Sequence, residues 1–149
     1  MAFTSGKLEK TLDDYPEFGR RVAQLKALRV QCADFVAEGR FCDKLGLEVK
    51  NTLAYVYESP KGVGIVMADT QNKTQKVRMV LNPARVGHGQ AKPGMLYRQD
   101  GSSSPAGKIR SDGRLCLEFT LPALEVAIWG VESPRTARRM KPFASGKRT

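Results

Sequence analysis

The chain has 149 residues, about the length of one domain, and 41% of them are apolar, which is enough to build a hydrophobic core. No apolar run approaches the roughly 20 residues that a membrane-spanning helix requires, so we expect no membrane partner. The formal net charge is +10, with 25 Lys and Arg against 15 Asp and Glu, and such an excess is typical of proteins that meet an acidic partner.

The N-terminal region combines an irregular segment with one amphipathic helix. Residues 1–13 lack both a periodic pattern and the apolar stretch of a secretory signal, so we predict a flexible N-terminus and a cytoplasmic location. Between residues 16 and 38, apolar side chains recur at steps of three and four, which predicts a helix capped by Asp13 or Asp14 and ended by Gly39. Its apolar stripe consists of Phe18, Val22, Leu25, Leu28, Cys32 and Phe35.

The next segment changes from a helical to an alternating pattern. A short additional turn of helix is expected over residues 40–45. In residues 47–57 the odd positions are mostly apolar, which predicts a single half-buried strand. Tyr55 and Tyr57 lie on the apolar side of this alternation, so we expect them to pack in the core.

Two hairpin-like strands follow. The sequence Ser59-Pro60-Lys61-Gly62 favours a tight turn that leads into a strand over residues 63–68. After a second turn near residues 70–73, residues 75–81 alternate again and predict a third strand. Lys76 and Arg78 project from the face opposite its apolar residues.

Residues 82–107 are rich in Gly, Pro and Ser and predict a long loop, which is usually functional or disordered in a compact domain. A short strand around residues 95–98 would interrupt it. Residues 114–121 and 124–131 then predict two more strands. Trp129 falls on the face of the last strand opposite Leu124, Val126 and Ile128. Two interpretations are open for this ring: an exposed stacking or contact residue, or a core residue whose face is covered.

These elements predict an α+β fold with one N-terminal amphipathic helix followed by a mostly antiparallel sheet of about five strands. The sheet either closes into a small barrel similar to an OB-fold or stays open and packs on the helix. Residues 14–133 would form this single domain, followed by a basic C-terminal tail over residues 134–149.

Catalytic and metal-binding patterns are missing from the sequence. The three cysteines are widely spaced and His88 is the only histidine, so neither a disulfide framework nor a zinc site is expected. No phosphate-binding glycine motif and no nucleophile with its base is recognisable, so we expect neither enzymatic activity nor a cofactor. The alternative is a metal-dependent nuclease or hydrolase that uses the dispersed acids Asp69, Asp100, Asp112 and Glu118.

The basic residues are unevenly distributed. Residues 73–114 hold nine Lys and Arg against two acids, and the tail holds six Lys and Arg and no acid. Basic surfaces that are interleaved with aromatic rings are typical of proteins that bind single-stranded nucleic acid. The predicted contact residues are Lys73, Lys76, Arg78, Arg85, Lys92, Tyr97, Arg98, Lys108, Arg110, Arg114, Trp129, Arg135, Arg138, Arg139 and Lys141.

The leading hypothesis is therefore a non-enzymatic protein that binds DNA or RNA without sequence specificity, with a slight preference for single strands. An alternative from another class is a protein-binding module, such as an inhibitor of a host factor or a component of a virion, whose basic surface meets an acidic protein. An exposed sheet edge would also permit homo-oligomers.

Overall fold

The computed structural model describes residues 14–136, which form three layers. An α-helix lies on the outer face of a six-stranded antiparallel sheet, and a four-stranded antiparallel sheet packs against the inner face of that sheet. The coarse α+β prediction is confirmed. The barrel is not formed, because the strands divide into two separate sheets that face each other across one apolar core.

The helix and strands have the following bounds in chain order. Helix α1 spans Pro16–Gln31. The strands are β1 (Arg40–Phe41), β2 (Leu47–Lys50), β3 (Leu53–Glu58), β4 (Gly62–Ala68), β5 (Gln75–Leu81), β6 (Gly94–Arg98), β7 (Ser103–Ala106), β8 (Lys108–Ile109), β9 (Leu115–Leu121) and β10 (Val126–Glu132). The larger sheet has the order β1-β3-β4-β10-β6-β7, and the smaller has the order β2-β5-β9-β8.

Helix α1 is shorter than the sequence pattern predicts. Tyr15 takes the N-cap position and Pro16 the first helical position, where its missing N–H costs nothing. After Gln31 the chain continues in turns. This bend carries Phe35 onto the larger sheet, where its ring covers the paired Gly64 and Gly130. Packing on these glycines therefore replaces the last two turns of the expected helix.

The segment predicted as one strand over residues 47–57 is two strands in different sheets. Asn51 adopts a left-handed φ of 70°, which an asparagine tolerates better than most residues, and the chain crosses here from β2 to β3. The crossing reverses the phase in β3, so that Ala54 and Val56 are buried in the core. Tyr55 and Tyr57 are half-buried on the opposite face, so the prediction that they pack in the core is wrong.

Strand β10 lies between β4 and β6 and is covered on both faces. Ile128 packs against α1, while Trp129 is 0% exposed between the two sheets. The Trp129 indole N–H donates to the carbonyl of Ala106 at 3.1 Å. Trp129 is therefore a core residue, and its prediction as a stacking or contact residue is corrected. Leu124, expected to point inward, precedes the strand at a φ of 61° and is 41% exposed.

The predicted long loop over residues 82–107 contains more regular structure than expected. It begins with a 3-10 helix over Pro83–Val86 and includes the expected short strand β6. The hairpin partner β7 was not expected, because Ser103–Ala106 carries no apolar alternation. The short helix expected over residues 40–45 is also wrong, since Arg40–Phe41 pairs with β3. Within residues 14–136 no helix has the length and apolar character needed to cross a bilayer.

Candidate functional site

The outer face of the smaller sheet is rich in charged side chains. The alternation of β5 buries Val77 and Met79 and exposes Lys76 and Arg78, as the sequence predicts. Arg78 lies opposite Glu118 on β9, and its Nε is 2.6 Å from the Glu118 carboxylate. Both side chains are more than half exposed, so this ion pair adds little stability and leaves the guanidinium accessible to a ligand.

A groove of about 840 Å³ crosses one end of this face, between β7 and the β8–β9 edge. Its apolar surface is formed by Val80, Ala106, Gly107, Cys116 and two prolines, Pro93 and Pro105. Three cations, Arg78, Lys108 and Arg110, and one acid, Glu118, line its rim. We call it the Cys116 groove.

A second pocket of about 350 Å³ adjoins the first, since Val80 lines both. It lies where β2 begins and β5 ends, and its cations are Lys44, Arg85 and Arg114. Glu48 is the acid that lines it. The glycine between Lys44 and β2, Gly46, has a φ of 77°, and a Cβ there would lie 2.9 Å from the Arg85 Cβ, so the absence of a side chain leaves room for Arg85 at the pocket.

A third pocket of about 480 Å³ shares Leu45 and Arg85 with the second. It adds two cations, Arg40 and Arg135, and the buried acid Glu58. The three pockets are therefore contiguous. Their cations form one surface, which we call the basic track: Arg40, Lys44, Arg78, Arg85, Lys108, Arg110, Arg114 and Arg135.

Charge along the basic track is strongly positive. Eight Lys and Arg face three lining acids, Glu48, Glu58 and Glu118. Glu118 is paired with Arg78, and Glu58 with Arg135. An extended surface with this excess of guanidinium and ammonium groups can bind the phosphates of a polyanion through charge-assisted hydrogen bonds.

Glu58 is the electrostatic centre of the third pocket. Its carboxylate, whose side chain is 7% exposed, accepts from Arg135 Nε at 2.6 Å and lies 3.6 Å from Arg40 Nε. Burial raises the pKa of Glu58, but hydrogen bonds from Arg135 and His88 lower it by more, so the pKa lies below its ordinary value of 4.5. Glu58 therefore stays ionised and fixes Arg135 at the end of the basic track.

His88 is a buried structural residue rather than part of a loop surface. Its ring is 1% exposed, with Nδ1 at 3.0 Å from the Ser133 carbonyl and Nε2 at 3.3 Å from the Glu58 carboxylate. Both partners are oxygen acceptors, so the ring nitrogen that carries a hydrogen donates to the oxygen beside it. His88 thus joins Glu58 to the chain that leaves β10.

The first residues of the predicted tail belong to the folded body. The Gly89 N–H donates to the Pro134 carbonyl at 2.7 Å, and the Thr136 N–H donates to the Gly87 carbonyl at 2.9 Å. Together with the Arg135–Glu58 pair, these bonds hold residues 134–136 beside residues 87–89. The remaining predicted tail contacts, Arg138, Arg139 and Lys141, lie outside the described residues.

Six of the predicted contact residues come together on the basic track: Arg78, Arg85, Lys108, Arg110, Arg114 and Arg135. Lys76 is exposed on the same face of β5 as Arg78. Lys73 and Lys92 are exposed but line none of the three pockets.

Two further predicted contact residues, Tyr97 and Arg98, interact with other parts of the protein. Tyr97 is half-buried and packs in the cluster that joins α1 to the larger sheet, and burial raises its pKa. The Arg98 guanidinium lies 5.4 Å from the centre of the Phe119 ring and donates to the Thr120 carbonyl at 3.3 Å, which links the two sheets.

Arg40 and Lys44 are members of the basic track that sequence reasoning missed. Both were placed in an expected helical turn, where their charge balanced nearby acids. The signal that could have identified them is Gly46, since a glycine before an alternating segment favours a turn that returns the preceding residues to the sheet.

The acids considered for metal-dependent catalysis have separate structural environments. The Asp69 carboxylate accepts from the backbone N–H groups of Leu124, Gln71 and Lys73 and from the Gln75 amide. These bonds, that from Leu124 first, lower the pKa of Asp69 to about 2. Asp100 and Asp112 accept from turn residues two positions on. In the described range, 14–136, no three His, Cys, Asp or Glu side chains are grouped to hold a metal ion.

No protein-family model matches the chain, and no curated protein is significantly similar to it in sequence.

Proposed function

We propose that the protein binds nucleic acid through the basic track, without sequence specificity and without catalysis. The observation that carries this proposal is that the second pocket shares Val80 with the Cys116 groove and Arg85 with the third pocket, and that eight Lys and Arg line the three. A polynucleotide is the common polyanion whose regularly spaced phosphates would engage cations distributed along such a surface. Contact through the phosphate backbone carries no sequence information, in keeping with the absence of a recognition-helix motif.

The fold also supports a contact made by the sheet. The end of α1 and the turns that follow it pack on the outer face of the larger sheet, whereas the outer face of the smaller sheet carries exposed charges on β2, β5 and β9. The charges that point away from the core on these strands are available to a ligand that lies across them. The basic track would therefore receive a strand of nucleic acid without any rearrangement of the core.

The proposal is tested with a charge-neutralising pair and a matched control. Arg85→Gln with Lys108→Gln removes two charges at separate points of the basic track, and Lys26→Gln with Arg29→Gln removes two exposed charges from α1. Fluorescence anisotropy with a labelled oligonucleotide would be measured between about 50 and 200 mM salt. We expect the first pair to weaken binding and lower the salt slope by about 1.4, the slope for two released counterions on a single strand.

The α1 pair should leave affinity and slope nearly unchanged. If wild-type protein shows no binding at low salt, or if both pairs weaken binding equally, the basic track is not a nucleic-acid interface.

A second candidate function, protein binding, is favoured by one observation. The first half of the apolar stripe on α1 is not covered within the described residues, with Phe18 59% exposed and Val22 39% exposed. Exposed apolar side chains on one helix face are a common basis of protein contacts. Sedimentation of wild-type protein beside Phe18→Ser with Val22→Ser would show whether this face mediates self-association.

A further inference from the structure

The Cys116 groove differs chemically from the other two pockets of the basic track. Its inner surface is apolar, formed by Ala106, Gly107, Cys116 and Val80, and Pro93 and Pro105 stand exposed beside it. Its cations lie at the rim. In the second and third pockets four of nine and four of seven lining residues are charged, and the exposed lining is more polar than apolar. A ligand that fits the groove therefore carries a flat or compact apolar part next to a negative charge.

We propose that the Cys116 groove is a nucleobase-binding site, in which one unstacked base lies on the apolar surface and its flanking phosphates contact Arg78, Lys108 and Arg110. This inference rests on the proposed function and specifies its substrate as single-stranded nucleic acid. The volume of about 840 Å³ is within the range of pockets that hold small organic ligands, so a nucleotide fits.

Gly107 is the point where the Cys116 groove meets the core. It has a φ of 103°, and a Cβ there would lie 2.7 Å from Cζ2 of the buried Trp129. The residue is thus restricted to glycine, because its missing side chain leaves room for the indole in the core behind the groove. On the groove side the apolar neighbours are Val80, Ala106 and Cys116, and packing between apolar groups is a usual environment for an unpaired base.

Charge placement favours a base with its phosphates over other apolar ligands. Lys108 lies opposite Cys116 in the β8–β9 pairing, and both side chains line the groove. The Lys108 charge is therefore next to the apolar surface. Arg78 is on the neighbouring strand opposite Glu118, and its exposed guanidinium also lines the groove. In a duplex the bases are paired and stacked, so only a single strand can place a base in the groove at no cost in base pairing.

The test compares strands with and without bases. A labelled oligothymidylate of about 12 nucleotides and an abasic strand of equal length carry the same phosphates, so a difference in affinity measures contacts with bases. The variants are Cys116→Phe, which fills the groove, and Thr120→Phe, the matched control, which adds the same ring to an exposed position of β9 that lines none of the three pockets. Anisotropy gives the dissociation constants, and thermal unfolding checks that each variant is folded.

We expect wild-type protein and Thr120→Phe to bind the thymidylate strand about 10-fold more tightly than the abasic strand. Cys116→Phe should bind both strands with the lower, abasic affinity. Equal binding of both strands by wild-type protein would overturn the base site while leaving the proposed function intact, whereas no binding of either strand would remove the proposed function itself.

A chemical measurement covers the case in which Cys116→Phe fails to fold. In a Cys42→Ser background the remaining thiols are Cys116 in the groove and the buried Cys32, whose pKa burial raises to about 11. Alkylation by iodoacetamide therefore reports on Cys116. At equal occupancy the thymidylate strand should slow this reaction more than the abasic strand, and equal rates would contradict the proposal.

Discussion

Among single residues, Glu58 has the environment with the clearest energetic consequence. Its carboxylate is 7% exposed and accepts from Arg135 and His88, whereas Arg135 is 32% exposed and the nearby Arg40 is 71% exposed. Removing a partner of this buried carboxylate leaves its charge without compensation, which is costly. The cluster also connects three separate parts of the chain, namely β3, the loop before β6 and the residues after β10.

We predict that Glu58→Gln lowers the free energy of unfolding by about 2 kcal/mol at neutral pH, since two charge-assisted hydrogen bonds become weaker. The folded-state pKa of Glu58 is below 4.5, so its stabilising contribution is complete above that pH and is lost as pH falls through the folded-state value. Urea unfolding at several pH values should show the stability difference between wild type and variant shrinking as pH falls below about 4.

The exposed Glu38 provides the control for this measurement. Glu38→Gln changes the same chemical group without a buried partner, so its unfolding curve should follow that of wild type at each pH. A constant stability difference for Glu58→Gln across the acid range would show that the ionised carboxylate does not stabilise the fold.

At the level of elements, the contact between the α1 region and the larger sheet depends on two paired glycines. A Cβ at Gly64 would lie 2.8 Å from the Phe35 Cβ, and one at Gly130 would lie 2.7 Å from the Phe35 ring. The absence of side chains at both positions makes the recess that holds Phe35, which is 3% exposed. This contact fixes the chain between α1 and β1.

We predict that Gly64→Ala lowers the free energy of unfolding by about 2 kcal/mol, because the added methyl overpacks against Phe35. Gly89→Ala is the matched control, since a Cβ there would have its nearest neighbours at 3.7 Å, an ordinary contact distance. Chemical denaturation followed by circular dichroism measures both. A Gly64→Ala protein as stable as the Gly89→Ala protein would mean that Phe35 can move aside without cost.

Elements were predictable where one face is apolar and the other is polar. Residues 75–81 show this alternation, and β5 has the predicted bounds and the predicted inward residues. Strand β10 is covered on both faces, so its sequence could not reveal that Trp129 points between the sheets. The crossing at Asn51 was hidden because a polar residue in a left-handed conformation interrupts the strand without changing the sequence pattern.

The candidate site was predictable in charge but not in arrangement. Composition identified an excess of Lys and Arg over residues 73–114, yet long-range pairing decides which of them meet. Arg85 and Arg114 line one pocket because β5 and β9 are neighbours. Arg135 joins them because it pairs with Glu58, a contact across 77 residues of sequence that local patterns cannot reveal.

On the scale of the whole molecule, the folded body and the basic tail meet at the end of the basic track. Arg135 lines the third pocket, and Thr136 is hydrogen-bonded to Gly87. The chain beyond Thr136 carries five more cations and therefore starts next to the surface that we propose to bind nucleic acid. A strand that occupies the third pocket would lie beside Thr136, from which this cationic segment continues in sequence.

We predict that truncation after Thr136 weakens oligonucleotide binding and lowers the salt slope by at least about 1. The reason is that the tail cations no longer displace counterions from the phosphates of the nucleic acid. The melting temperature should not change, since the pairing of residues 134–136 is retained. Truncation after Glu132 should in contrast destabilise the body by about 3 kcal/mol, because Glu58 then loses Arg135 while buried.

A full-length control separates charge from chain length in this experiment. Replacing the five tail cations Arg138, Arg139, Lys141, Lys147 and Arg148 by Gln removes the same charge without shortening the chain. It should reproduce the binding and the salt slope of the protein truncated after Thr136. If the truncation alone weakens binding, the tail acts through contacts other than charge. If neither does, the basic track binds without help from the tail.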